Sequence, residues 1–153
     1  MIDPGDFARF PERPPSEVEW EELLVKYEIA PRAVRLAVGD APGDGVALLG
    51  PLSLLLAWEL WTAEALAAMR DGRALAGDGA GVESAAEAGA RGLVDGYAAA
   101  RARNFAMLQR RGIDVWDWAV DDGGTRITPY RLLQAAVAGD GRALAAVRAA
   151  VGA

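Results

Sequence analysis

The chain has 153 residues, room for one domain with a proper core, and its 52% hydrophobic and 25% charged residues mark it as globular rather than disordered. A net charge of −6 argues against a nucleic-acid backbone as partner, since such sites are paved with Lys and Arg. With no Cys and no His there is no disulfide, thiolate ligand or thiol nucleophile, no imidazole metal site, no Ser-His dyad and no histidine base.

Residues 1–15 are Pro-rich and read as an irregular arm, with Phe7 and Phe10 tucking onto the body. They lack the basic n-region and apolar h-region of a signal peptide. Ser16, followed three residues later by Glu19, is a capping box that opens the first helix. Trp20, Leu23, Leu24, Tyr27, Val34 and Val38 then recur at helical spacing. Pro31 predicts a kink or short break near Ala30, and Gly39 closes the helix. Residues 40–45, DAPGDG, form a turn cluster.

Residues 48–70 are the most apolar run in the chain. Pro51 suits the first turn of this second helix, and Gly72 ends it. Glu59 and Glu64 interrupt the run before roughly twenty apolar residues accumulate, so it reads as a buried core helix rather than a membrane span. A cytoplasmic protein without a membrane partner is the expectation. A Gly/Asp/Ala loop follows at 77–81. The third helix, within 83–111, is weakened by Gly89, Gly92 and Gly96, each by roughly 1 kcal/mol against Ala, though such glycines also allow close helix approach. Leu93, Tyr97, Phe105 and Leu108 mark its surer half, and Gly112 ends it.

Residues 114–122, DVWDWAVDD, are too short and acidic for a core helix and read as an extended aromatic connection, with a turn at Gly123–Gly124. Thr128 as N-cap and Pro129 as first residue start the last helix, whose apolar positions are Leu133, Val137, Leu144, Val147 and Val151. No strand signal is strong. The whole predicts an all-α, four-helix bundle with a long connection between the third and fourth helices.

Two carboxylates fall inside apolar faces. At about 100° per residue, Glu59 lies amid Leu52, Leu55, Leu56, Ala63 and Leu66, and Asp140 amid Leu133, Val137, Leu144 and Val147. A buried carboxylate is costly unless paired or hydrogen-bonded. Either each is structural or solvent-facing, or the two act as an acid–base pair with shifted pKa values. The Gly139-Asp140-Gly141 string also reads as a break that makes Asp140 the N-cap of a new helix. A Mg²⁺ or Ca²⁺ site has little support, because no acidic loop is clustered. Trp58, Trp61, Trp116 and Trp118 either line an aromatic pocket at one end of the bundle or belong to core and dimer contacts. Arg101, Arg103, Arg110 and Arg111 read as a solvated face of the third helix, with an anion-binding role as the lesser alternative.

Four segments together resemble the DinB-like (DinB/YfiT) superfamily of helical bundles over roughly residues 16–150. They are LLVKYEIAPRAVRLAV, LLAWELWTAEALAAM with its Leu-Ala-x-Trp-Glu core, RNFAMLQRRGIDVWDW, and ITPYRLLQAAVAGDGRALAAVRAA. The resemblance implies a divalent-metal site built from one His on the second helix and two on the fourth. Here those positions hold Leu54, Gly139 and Ala143, none of which coordinates. The family's metal-dependent thiol transferase and isomerase activities are therefore not expected, and neither is a cofactor. What the resemblance still implies is the bundle, a tendency to form homodimers, and a pocket at the former metal site lined by Leu54, Trp58, Trp61, Trp116, Gly139 and Ala143. The leading expectation is a metal-free bundle that binds a small apolar or aromatic molecule or serves as a non-catalytic interaction module. The alternative is a metal-independent isomerase, cyclase or lyase using Glu59 and Asp140.

Overall fold

Several helix ends rest on local capping chemistry, at Ser16, Gly39, Gly72, Gly112 and Thr128. The structure is a computed structural model and describes residues 4–39, 45–76, 85 and 87–152, with side chains from Phe7 onward. Helix α1 (Glu17–Val38) starts at Ser16, whose backbone is extended and whose Oγ accepts the Glu19 N–H at 3.5 Å, while its hydroxyl donates to the Glu19 carboxylate. It ends at Gly39, as expected. Contrary to the expected break, α1 stays helical through Pro31.

Helix α2 (Val46–Asp71) begins before Pro51, so Pro51 is an interior residue rather than a first-turn one. Gly45, at φ 69°, turns the chain, and the Leu48 N–H bonds the Gly45 carbonyl at 2.9 Å. The helix is thus already nucleated when it reaches Pro51. Gly72, at φ 64°, terminates it in the left-handed conformation. Helix α3 (Gly89–Arg111) ends at Gly112. The turn at 40–44 and the loop at 77–81 lie outside the described residues.

Helix α4 (Pro129–Gly152) starts at Thr128, whose Oγ1 accepts the Arg131 N–H at 3.3 Å and donates to the Glu12 carbonyl at 2.6 Å. It is continuous through Gly139–Gly141, so Asp140 is not an N-cap. The connection from α3 corrects a further expectation. Gly112–Asp117 is a 3-10 turn, and β1 (Val120–Asp122) pairs antiparallel with β2 (Thr125–Ile127), Val120 opposite Ile127. The hairpin closes through Gly123 and Gly124, both at positive φ, which matches the twist of the strands.

α1 lies against α3 and α4, and so does α2. The 3-10 turn Pro4–Arg9, the turn Gly112–Asp117 and the hairpin cover one end of these helices. By length and composition α2 could cross a membrane, but it buries Leu52, Leu55, Leu56, Ala65, Leu66 and Met69 against its neighbours.

The apolar core is split in two. One cluster gathers Trp20, Leu24, Trp58, Leu66, Leu108 and Leu133 under the hairpin end. The other gathers Val34, Leu52, Leu56, Leu93, Val94 and Val147 towards the far end. On every helix the changeover falls at a polar or constrained residue: Pro31 on α1, Glu59 on α2, Arg101 on α3 and Asp140 on α4.

Candidate functional site

Arg101 is the centre of that polar layer. It is 1% exposed, Glu59 is 0% exposed and Asp140 is 6% exposed. The Arg101 Nε–H donates to Glu59 Oε1 at 2.8 Å, and Nη2 lies 2.7 Å from the same oxygen. On the other side Nη1 and Nη2 donate to Asp140 Oδ2 and Oδ1 at 2.9 and 2.8 Å, a bidentate fork. Nη1 also donates to the Tyr27 backbone carbonyl at 2.6 Å.

That carbonyl is free because of Pro31. In an uninterrupted helix the N–H of residue 31 would bond the carbonyl of residue 27, and proline has no N–H to give. Pro31 therefore leaves an acceptor pointing out of α1, and Arg101 fills it from α3. This is why a proline is tolerated inside α1.

Hydroxyl and amide groups complete the layer. Tyr27 donates to Glu59 Oε2 at 2.5 Å, and Asn104 Nδ2 donates to the same oxygen at 3.0 Å and to the Glu59 carbonyl at 3.1 Å. Tyr97 donates to Asp140 Oδ1 at 2.8 Å. The guanidinium carbon lies 3.9 Å from the Tyr27 ring centroid and 5.1 Å from that of Tyr97, so the cation is sandwiched by aromatic faces. Glu59 is thereby held on both oxygens: Oε2 accepts from Tyr27 and Asn104, and Oε1 accepts from Arg101 Nε with Nη2 in ion-pair range. Among the described residues Asp140 Oδ2 accepts a single hydrogen bond, from Arg101 Nη1, and a carboxylate oxygen has room for two donors.

Electrostatics follow from this geometry. Burial pushes the Tyr27 hydroxyl pKa well above its ordinary value, and the nearby Glu59 carboxylate pushes it the same way. Burial likewise raises Tyr97, with Asp140 adding to it. For Arg101 burial alone favours the neutral form, but Glu59 and Asp140 outweigh it and hold the guanidinium charged.

Two clefts reach this layer from outside. One, about 220 Å³, runs between α1 and α4 and is walled by Ile29, Ala30, Val34, Val137 and Leu144, with Lys26 at one point and Asp140 at another. The second, about 320 Å³, lies between α1 and α3 and carries charge on half of its wall, from Glu28, Arg32, Arg35 and Arg101.

The expected site residues separate. Glu59 and Asp140 do meet, through Arg101. Leu54 is 65% exposed and faces away from the interior, so it lines no pocket with Ala143. Of Trp58, Trp61, Trp116 and Trp118, expected around an aromatic pocket, Trp58 and Trp61 are met by Phe7 from the N-terminal turn, which stacks on them at 5.6 and 5.7 Å. Trp116 instead makes an edge contact with Trp20 at 6.5 Å. Gly139 and Ala143 are half-buried, and Ala143 packs on the far apolar cluster. Neither cleft is lined by Leu54, Gly139, Ala143 or any of these four tryptophans.

No known protein family, curated protein or solved structure matches the chain. Among the described residues no group of three or more Asp and Glu is placed to hold a metal ion.

Arg101 belongs to the interior rather than to a solvated face, whereas Arg103, Arg110 and Arg111 are exposed. Its register announces this. Tyr97, Arg101, Asn104 and Leu108 follow one another at steps of four, three and four, continuing the stripe that starts at Leu93. Tyr27 and Asn104 were legible only as helical positions, because a hydroxyl or amide carries no sign of its partner.

Proposed function

We propose that the protein is a metal-free, non-catalytic helical bundle of DinB-like kind that holds a small, mostly apolar molecule in the α1–α4 groove. The bundle reading is supported by α1 and α2 each lying against both α3 and α4. One observation carries the binding reading: the apolar-walled groove includes Asp140, whose Oδ2 accepts a single hydrogen bond among the described residues. A molecule with an apolar body and a hydrogen-bond donor or ammonium head fits that combination. At about 220 Å³ the groove is smaller than the roughly 300–1,000 Å³ of drug-sized pockets, so a ligand of fragment size is expected.

The acid–base alternative has less support. Glu59 is fully enclosed, and both carboxylates are already held by Arg101. Proton exchange with a substrate needs a group that can reach it.

The test is a titration of isotope-labelled protein with small aryl and alkyl amines and with the matching hydrocarbons, read by amide chemical shifts. Amines are expected to shift Ala30, Ala33, Val137 and Leu144 more than the hydrocarbons do, and an Ala33→Phe variant that fills the groove is expected to lose the effect. Shifts absent from the groove, or unchanged in Ala33→Phe, would overturn the proposal.

A further inference from the structure

Helix α1 is apolar on two opposite faces. Trp20, Leu24, Tyr27, Pro31 and Val34 form the buried face. At about 100° per residue, Val18, Glu22, Val25, Ile29, Arg32 and Leu36 fall within roughly 80° of arc on the other side. All six are exposed, the four apolar ones by 46% to 83%. Four of the seven large exposed apolar side chains of the described residues thus share one face of one helix, while Val46, Leu54 and Ile113 are scattered. Steps of four and three along this face are those of a coiled-coil seam.

The order along the seam is self-complementary when reversed. About Tyr27 as midpoint, Val18 mirrors Leu36, Glu22 mirrors Arg32 and Val25 mirrors Ile29. Apolar meets apolar and acid meets base at each level. Among the described residues Glu22 makes no ion pair, and Arg32 has only an exposed contact with Glu28 at 3.6 Å. An isologous two-fold contact places the same patch of two copies face to face, with residue i on j and j on i. This seam has that property.

We infer that α1 pairs antiparallel with α1 of a second copy about a two-fold axis at Tyr27. The seam then has outer levels of Val18 on Leu36, a Glu22–Arg32 ion pair at the next level, and Val25 on Ile29 at the centre. Eight apolar side chains leave water, and the two ion pairs set register and direction, since a parallel pairing would lay Glu22 on Glu22 and Arg32 on Arg32. This inference is independent of any ligand in the groove, because only Ile29 belongs to both surfaces.

Light scattering and cross-linking test it together. The wild-type chain is expected to show about 32 kDa, twice its 16.1 kDa. Glu22→Arg alone and Arg32→Glu alone are each expected to be monomeric, since each places like charges at two levels. Mixing the two restores both ion pairs and is expected to restore the dimer. The chain has no cysteine, so single cysteines can be placed freely. Oxidising a mixture of Val18→Cys and Leu36→Cys chains is expected to give the covalent dimer, and either chain alone is not. Circular dichroism of each variant confirms that these exposed substitutions leave the helices intact. A monomeric wild type at its highest soluble concentration would overturn the inference. So would a dimer indifferent to both charge reversals, or cross-linking of Val18→Cys chains with themselves.

Discussion

Pro31 and Arg101 meet at one oxygen: the Tyr27 carbonyl that proline leaves without a helical partner accepts the Arg101 Nη1–H at 2.6 Å. A residue that ordinarily breaks a helix is here the source of an acceptor for a buried cation. Neither is favourable alone, and each accounts for the other.

Replacing Arg101 by Met is expected to destabilise the protein by about 3–5 kcal/mol, measured by urea unfolding, because it leaves Glu59 and Asp140 buried without a counter-charge. Arg101→Lys should recover little, since one ammonium cannot supply the forked donors to Asp140 together with those to Glu59 and Tyr27. An Arg101→Met variant as stable as wild type would show that the layer does not hold its charges as described.

Pro31→Ala offers a sharper check. In an ordinary helix interior this change stabilises by roughly 3 kcal/mol. Here the new N–H would share the Tyr27 carbonyl with Arg101, so a gain below about 1 kcal/mol is expected. The full helical gain would mean that the Arg101 contact contributes nothing.

Phe7→Ala is expected to lower the melting temperature and shift tryptophan emission to the red. It removes a ring that is buried and stacked on Trp58 and Trp61. Truncating a core Phe costs about 3–5 kcal/mol in general, and a site at the end of the body should fall toward the lower figure. Emission unchanged from wild type would place Phe7 off the tryptophans.

Stability is expected to hold through neutral pH and to fall on the alkaline side. Tyr27 and Tyr97 have raised pKa values in the folded chain, so their contribution is fully present below the unfolded value of 10.0. Above it the unfolded chain releases protons that the native chain retains, and stability drops as pH rises. With no histidine in the chain, no comparable change is expected near pH 6 to 7. Denaturant midpoints across this range, with a spectroscopic titration of tyrosinate, check both statements.

Much of the architecture was legible in local chemistry. Ser16, Gly39, Gly72, Gly112 and Thr128 act over three or four residues, so the helix ends they set could be read directly. The start of α2 was misplaced because Pro51 is compatible with more than one position in a helix, and Gly45 nucleated the helix first. The short hairpin was missed because three-residue strands carry almost no alternation to detect.

The site divides along the same line. The sequence by itself determined that Glu59 and Asp140 sit within apolar faces, because helical periodicity is a local property. It also determined that the chain offers no thiolate or imidazole, because that is composition. Only the tertiary structure decided that both carboxylates belong to Arg101, that Phe7 stacks on Trp58 and Trp61, and that the helix survives Pro31. Each of these is a pairing across tens of residues, from Tyr27 to Arg101 and from Glu59 to Arg101 to Asp140. Such partnerships form only when packing has excluded water and left a charge or a carbonyl with a single place to go.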